Sequence, residues 1–293
     1  MGKFSIGRLA VHIMLVLLSL ACIIPILFLL SISLSAEESI AQFGYTFIPK
    51  IFSLEAYRMA FTNPTEILDA YKVTAAYSIL SVVLLLIVQS MIAYPLSKPN
   101  YKFKKITTIY IFITMLFGGG LVPSYIINTQ YLHLGNTFWI YILPSLVSAW
   151  NIIVMRTFFQ GLPAGLTEAA KIDGANEFKI YLRIILPLST PVLATLGFMS
   201  LLAKWNDWNT SLIYIKNSKL YSLQYLLQRI LREAEYVNKV ADSAAAGFIK
   251  TENLPVETYK YAMCILATGP MLIVFPFFQK YFTKGLTIGA IKG

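Results

Sequence analysis

The chain has 293 residues, of which 57% are hydrophobic and 13% are charged, and its formal net charge is +10. This composition is too apolar for a soluble domain. The excess of Lys and Arg would suit nucleic acid, but it is concentrated in short connections between apolar runs. That placement favours a membrane protein, and we expect no nucleic-acid partner.

Six apolar runs are long enough to cross a bilayer, which takes about 20 residues per helix. Lipid offers no partner to backbone N–H and C=O groups, so each run is expected to be helical. The sequence therefore predicts an all-α polytopic membrane protein, with one membrane domain over 1–293 and no second soluble domain. The predicted spans are 10–32, 73–96, 106–127, 137–159, 184–204 and 259–282.

The first run resembles a secretory signal, because Lys3 and Arg8 precede it and small residues follow it at 33–36. Its apolar stretch exceeds 20 residues, whereas a signal has about 7–15, so we expect a retained helix. Both cysteines, at 22 and 264, fall in predicted spans and predict no disulfide. The two histidines, at 12 and 133, lack the spacing of metal ligands, so no metal site is expected.

Positive charge alternates between the short loops. The 97–105 turn carries four lysines in nine residues, whereas the 128–136 turn carries no Lys or Arg. Short loops rich in Lys and Arg remain in the cytoplasm. We therefore expect both termini, the 97–105 turn and the 160–183 loop to face the cytoplasm, with 33–72 and 205–258 outside.

Two predicted spans contain helix-breaking residues. Span three includes three glycines at 118–120 and Pro123. These residues allow either close helix packing or a flexible break that lines a pathway. No acidic ring accompanies them, so a selectivity filter is disfavoured. Pro187 and Pro191 predict a bend where span five begins.

The sequence of the 160–183 loop predicts two short helices joined at a glycine. Thr167 is a suitable N-cap, and Glu168 would then lie in the first turn, where the helix dipole favours a negative charge. Gly174 is placed to end this helix in a left-handed conformation. Asn176 would cap the second helix. That helix would present one apolar face, made of Phe178, Tyr181, Leu182 and Ile185.

The sequence from 168 to 191, EAAKIDGANEFKIYLRIILPLSTP, resembles the EAA loop of permease subunits in bacterial ABC importers. That loop has Glu-Ala-Ala, three further residues, Gly, a hydrophobic stretch and Leu-Pro. An ordinary surface helix-turn-helix between spans is the alternative. The positions that match are Glu168, Ala169, Ala170, Asp173, Gly174, Ala175, Leu186 and Pro187.

Two further segments resemble the carbohydrate-importing branch of that family, and the six-span layout resembles that branch's smaller, MalG-like subunit. The two segments are WNDW at 205–208 and the C-terminal residues 279–293. The GGGLVPS element at 118–124 is similar to a subgroup that takes up complex oligosaccharides. The resemblance implies the type I ABC importer permease fold, in which the EAA loop sits in a cleft of the ATP-binding subunit and transmits its closure.

The resemblance also implies partners. They are an ATP-binding cassette ATPase dimer that binds ATP and Mg, a second and related permease, an extracytoplasmic solute-binding protein and an oligosaccharide. The chain itself has no G-x-x-x-x-G-K-[ST] loop for phosphates. We therefore expect ATP hydrolysis in another polypeptide, and neither enzyme activity nor a cofactor in this chain.

Sugar sites combine aromatic faces with hydrogen-bonding groups, and several residues of this type occur at spans or their outer ends. Tyrosine and tryptophan also form interfacial belts, and buried amides also bond neighbouring helices, so each residue has a packing alternative. The candidates are Tyr77, Gln89 and Asn151 in spans, and Trp205, Asn206, Asp207 and Trp208 at the outer end of span five.

The 205–258 loop contains a predicted amphipathic helix, because Leu223, Leu226, Leu227 and Ile230 recur at helical spacing. Small residues at 244–247 and Pro255 break it. The resemblance implies a scoop that reaches into a docked binding protein, and a membrane-surface helix is the alternative. Residues 204–260 hold eight Lys or Arg against six Asp or Glu, which would suit an acidic sugar.

Two other functional classes stay open at this point. One is the permease of an amino-acid, peptide or polyamine importer, which a ligand screen with the cognate binding protein separates from a sugar importer. The other is a channel or secondary transporter, which would conduct without an ATPase and would show inverted internal repeats. The EAA-like loop argues against the channel or secondary transporter.

Overall fold

The computed structural model describes residues 6–62, 64–241 and 256–288, and these residues form helices without a β-strand. The helices in chain order are α1 Ile6–Ser33, α2 Glu37–Phe43, α3 Glu55–Ala60, α4 Pro64–Ser97, α5 Lys104–Leu116, α6 Leu121–Ile126, α7 Ala149–Gln160, α8 Ala164–Ile172, α9 Glu177–Ile180, α10 Leu186–Leu188, α11 Thr190–Trp205, α12 Asn209–Tyr214, α13 Leu223–Ala241 and α14 Val256–Ile288. The all-α prediction is confirmed.

Shorter helical turns link these elements. π-Helical turns at Ile127–Tyr131 and Tyr181–Ile185 extend α6 and α9, and the second of them runs directly into α10. 3-10 turns at Phe138–Tyr141 and Leu143–Ser145 precede α7, and a third at Ser218–Leu220 precedes α13.

Three helices are continuous enough to cross a membrane. They contain the segments Leu9–Ser33, Thr65–Ser97 and Glu257–Gln279, with mean hydropathies of 3.1, 2.3 and 1.9. These segments coincide with the predicted first, second and sixth spans. The first of them has no buried side chain in its apolar window, so its surface must be covered by lipid or by another protein.

The predicted third, fourth and fifth spans are bent pairs of helices rather than single rods. Lys104–Leu116 and Leu121–Tyr131 meet at 112°, Phe138–Ser145 and Ala149–Gln160 at 49°, and Glu177–Leu188 and Thr190–Trp205 at 75°. Counting each pair as one span gives up to six spans. The bend in span three falls at the glycines at 118–120, and the bend in span five falls between the prolines at 187 and 191.

The helices fall into two compact units. The first comprises Met1–Leu68 and Leu226–Pro270. Within it, Glu37 on α2 accepts hydrogen bonds from the first turn of α14, and Arg229 on α13 pairs with Glu66 at 2.6 Å. An isolated antiparallel bridge joins Ser35 and Phe52.

The second unit comprises Asp69–Tyr225 and Met271–Gly293 and carries the candidate site. Its main core is built from α4, α5, α7, α11 and the helix over 177–188. The buried side chains are Ala93, Tyr94, Leu96, Ile111, Ile152, Met155, Phe159, Ile180, Tyr181, Ile185, Val192 and Leu196. A second cluster contains Tyr77, Ile140, Tyr141, Ile142 and Ile215.

The predicted amphipathic helix of the outer loop is α13. The side chains of Leu223, Leu226, Leu227 and Ile230 are at most 8% exposed, so protein covers the apolar face. A helix lying on a membrane surface would leave that face uncovered by protein, and the structure therefore favours a packed helix. The predicted breaks at 244–247 and 255 lie outside the described residues.

Candidate functional site

The EAA-like residues form an exposed turn between two helices. Gly174 has a φ of +74°, as predicted, and the amides of Gly174 and Ala175 donate to Lys171 O and Ala170 O at 3.0 and 2.9 Å. This pair of bonds is the Schellman closure of a helix C-terminus. A Cβ at Gly174 would meet nothing within 4 Å, so glycine is required by backbone conformation and not by space.

The two sides of this turn differ in exposure. Glu168, Ala169 and Asp173 are exposed, and Ile172 at the tip is 87% exposed. On the other side, Ala170 and Ala175 pack against the main core of the second unit. The turn therefore presents an exposed outer surface on a base that is packed against the core of the second unit.

One predicted cap is wrong and one is confirmed. The first helix begins at Ala164 after Pro163, four residues earlier than expected, and the Thr167 hydroxyl donates back to Ala164 O at 2.9 Å instead of capping. Proline is suited to the edge of a helix because it has no N–H to satisfy. Asn176 does cap the second helix, since its Oδ1 accepts from Lys179 N at 2.8 Å.

The predicted apolar face of the second helix is partly wrong. Tyr181 and Ile185 are buried, but Phe178 is 60% and Leu182 is 44% exposed, and Ile180 is buried instead. The π-helical turn over Tyr181–Ile185 accounts for this change, because its wider repeat rotates the face relative to an α-helix.

Glu177, which the sequence patterns do not single out, is the centre of a polar cluster at the base of the turn. Lys171 Nζ lies 2.6 Å from its Oε1, the Tyr94 hydroxyl donates to Oε2 at 2.5 Å, and Lys98 Nζ lies 3.8 Å from Oε2. The hydrogen bonds from Lys171 and Tyr94 hold the pKa of Glu177 below its usual value of 4.5. The pKa of Lys98 is lowered from its usual value, because the effect of burial exceeds the opposing effect of the Glu177 charge.

Pro187 lies in the short helix α10, and the chain turns by 75° at Ser189 before α11 begins. Pro191 falls in the first turn of α11. The predicted bend at the start of span five is therefore present, two residues from each proline.

The candidate sugar residues in the spans are largely used for packing. Tyr77 is fully buried and stacks on Tyr141 with ring centroids 4.3 Å apart. Gln89 is also fully buried, and its Nε2 donates to Leu146 O at 2.9 Å. Asn151 is half-buried in the first turn of α7. In this conformation Tyr77 and Gln89 do not face an open pathway.

The WNDW residues mix packing with exposure. Trp205 is 5% exposed, with its ring 6.5 Å from that of Tyr71. Asp207 caps α12, because its carboxylate accepts from Thr210 N at 3.0 Å and from Thr210 Oγ1 at 2.6 Å. Asn206 is exposed, and Trp208 is half-buried at the start of α12. These four residues adjoin one another but do not converge on one open surface.

The sequence of residues 73–288 matches the family described as binding-protein-dependent transport system inner membrane component. The chain belongs to this family. A member of this family is a membrane component of a transport system, and the exposed turn at 168–175 is the segment that resembles the EAA loop.

Known proteins resemble this permease over nearly their whole length. Protein LplC of Bacillus subtilis strain 168 is 36% identical, over 92% of this chain and 90% of its own. The polygalacturonan/rhamnogalacturonan transport system permease protein YtcP of the same organism is 32% identical, over 95% and 96%. One solved structure has a TM-score of 0.82 at 26% identity and covers 96% of this chain and 100% of its own: a bacterial ABC transporter involved in the import of the acidic polysaccharide alginate.

Proposed function

We propose that this permease imports an oligosaccharide that carries carboxylate groups, delivered by an extracytoplasmic solute-binding protein. Two similar proteins support this substrate class, since YtcP is named for polygalacturonan and rhamnogalacturonan and the solved relative serves alginate import. The net charge of +10 is compatible with an anionic solute, because clefts of one sign attract the opposite charge.

The motor is a separate ATPase dimer that binds ATP and Mg, and it works on this chain through Glu168, Ala169, Ala170, Asp173, Gly174 and Ala175. The observation that carries this proposal is the exposed turn itself. Its outer side is free within the described residues, and its inner side is packed on the membrane helices. Such a turn can be gripped by a cleft and can pass the force inward.

Transport then follows alternating access. The ATPase closes on ATP and moves the turn, and α11 tilts at the bend beside Pro187. The outer ends of the spans open to receive the sugar. A partner can shift this equilibrium only by binding the two positions of the turn with different affinity, and the closing ATPase cleft supplies that difference.

A second permease completes the translocation pathway. An ATPase dimer offers two equivalent clefts, whereas this chain carries one EAA-like turn. The second turn therefore comes from another permease subunit, and a related but non-identical chain fits the carbohydrate branch. In this proposal the chain spans the cytoplasmic membrane, with both termini and the 160–183 loop in the cytoplasm.

Substitution of Gly174 by Asp tests the docking. We expect Gly174→Asp to remain in the membrane but to abolish uptake and binding-protein-stimulated ATP hydrolysis in vesicles. Gly44→Asp is the matched control, since Gly44 also has a left-handed φ (+69°) and open space around it, in the loop assigned to the outside. Normal transport by Gly174→Asp refutes the docking role.

The substrate class has its own test. Uptake of an acidic oligogalacturonide is compared with uptake of the same oligosaccharide after chemical reduction of its carboxyl groups. The acidic form should be transported and the reduced form should not. Equal uptake of both contradicts the proposal that the substrate is acidic, but it agrees with a sugar importer. Uptake of amino acids or peptides with the cognate binding protein contradicts the sugar assignment itself.

A further inference from the structure

The carboxylate of Glu177 joins three parts of the second unit. Lys171 belongs to α8, Glu177 begins α9, and Tyr94 and Lys98 lie at the end of α4. Its two oxygens divide these contacts, with Lys171 on Oε1 and the α4 residues on Oε2. Hydrogen bonds to a charged acceptor are about twice as strong as neutral ones.

The other glutamate of this loop has different surroundings. Glu168 is exposed, and the structure records no ion pair or side-chain hydrogen bond for it within the described residues. Glu168 is thus available to an external partner, whereas Glu177 is engaged with the chain's own α4. The two glutamates of the loop therefore differ in what they contact, which the sequence pattern does not distinguish.

A second contact fixes the same pair of elements more deeply. The hydroxyls of Tyr181 and Ser90 lie 2.8 Å apart in a buried position, and the rings of Tyr94 and Tyr181 are 5.3 Å apart. The helix over 177–188 is therefore held against α4 at two levels, by Tyr181 inside and by Glu177 at the surface.

The two helices that leave this segment differ in stiffness. The helix over 177–188 reaches α11 only through the 75° bend at Ser189, where motion can be absorbed. In contrast, α4 is a single helix of 34 residues from Pro64 to Ser97, with Pro95 in its last turn. Tyr94 lies before this proline, so a displacement applied through Tyr94 acts on the long continuous part of α4, and a continuous helix is the type of element that transmits coupling between distant sites.

We propose that Glu177 is a positioning residue that transfers the movement of the coupling loop to α4. This inference rests on the proposed function, since it requires an ATPase that moves the loop. Glu177 does not bind the ATPase or the sugar in this mechanism. It makes the turn and the second span move together. Without this contact, ATP hydrolysis would move the loop but would not move the second span.

The test uses the complete transporter in vesicles, with both permeases, the ATPase and the binding protein, and it measures sugar imported per ATP hydrolysed. Glu177→Gln should lower this ratio about tenfold, within the range known for residues that carry coupling, while the ATPase stays bound to the complex. Tyr94→Phe removes one hydroxyl and keeps the ring, so it should lower the ratio to a smaller extent without risk to folding.

The double variant identifies the contact. Because both substitutions act on the same contact, one by removing the donor and the other by removing the charge of the acceptor, Tyr94→Phe combined with Glu177→Gln should resemble Glu177→Gln alone. Glu55→Gln is the matched control, since it makes the same chemical change at an exposed residue on α3 and should keep the normal ratio.

Two results overturn the inference. One is a normal transport ratio in Glu177→Gln, which leaves the docking of the Gly174 turn intact. The other is dissociation of the ATPase in Glu177→Gln, which would place this residue in the docking surface. Failure of the docking proposal is separate, because it shows as normal transport by Gly174→Asp.

Discussion

Tyr77 and Tyr141 lie face to face, with ring centroids 4.3 Å apart and planes inclined by 7°. The Tyr77 hydroxyl donates to Lys204 O at 2.9 Å, and the Tyr141 hydroxyl donates to Leu220 O at 2.8 Å. The pair thus ties α4, the 3-10 turn over Phe138–Tyr141 and the end of α11 together. Its geometry belongs to a packed core, where aromatic pairs are stabilising beyond their buried area.

Tyr77→Ala should therefore destabilise the protein by about 3–5 kcal/mol, as for other large aromatic side chains removed from a core. Tyr77→Phe should lose about 1 kcal/mol, because only one hydrogen bond disappears. Thermal unfolding in detergent measures both. If Tyr77 instead contacts sugar, Tyr77→Phe will raise the KM for uptake without lowering Tm.

Glu37 caps the last long helix. Its carboxylate accepts from Glu257 N and Thr258 N at 2.9 Å and from Thr258 Oγ1 at 2.8 Å. Glu37→Ala leaves these donors without their acceptor, so we expect a loss of about 2 kcal/mol. Glu38→Ala is the control, since Glu38 is exposed on the same helix. An equal shift of Tm in both variants would show that the cap is not the cause.

The Glu177 cluster should depend on pH. Because the folded-state pKa of Glu177 is below 4.5, its contribution to stability is fully present above that value and is lost as the pH falls through the folded-state pKa. The difference in Tm between wild type and Glu177→Gln should thus be constant from neutral pH down to about 5 and shrink below 4.5. A difference that grows on acidification contradicts this sign.

Cysteine labelling tests the orientation. In a background without Cys22 and Cys264, Ile172→Cys should react with a membrane-impermeant thiol reagent only from the cytoplasmic side, because Ile172 is 87% exposed at the tip of the turn. Lys219→Cys is the counterpart, since Lys219 is exposed in the segment assigned to the outside. Labelling of both residues from the same side would contradict the proposed topology.

The local structure of the EAA-like turn was predictable because short-range rules control it. A glycine after a helix predicts a left-handed residue, and an asparagine before one predicts a cap, and both are present at Gly174 and Asn176. The predicted helix start at Thr167 was wrong. Thr167 has a hydroxyl suited to an N-cap, but the helix already begins after Pro163.

The sequence by itself determined the membrane class and the conformation of the turn, since hydropathy and backbone preference act within about 20 residues. Only the tertiary structure decided which side chains are enclosed. It buried Tyr77 and Gln89 within the unit, used Asp207 as a cap and brought Glu177 to Tyr94, 83 residues away in sequence. Contacts of that range depend on how the helices bend and pack, and no local pattern encodes them.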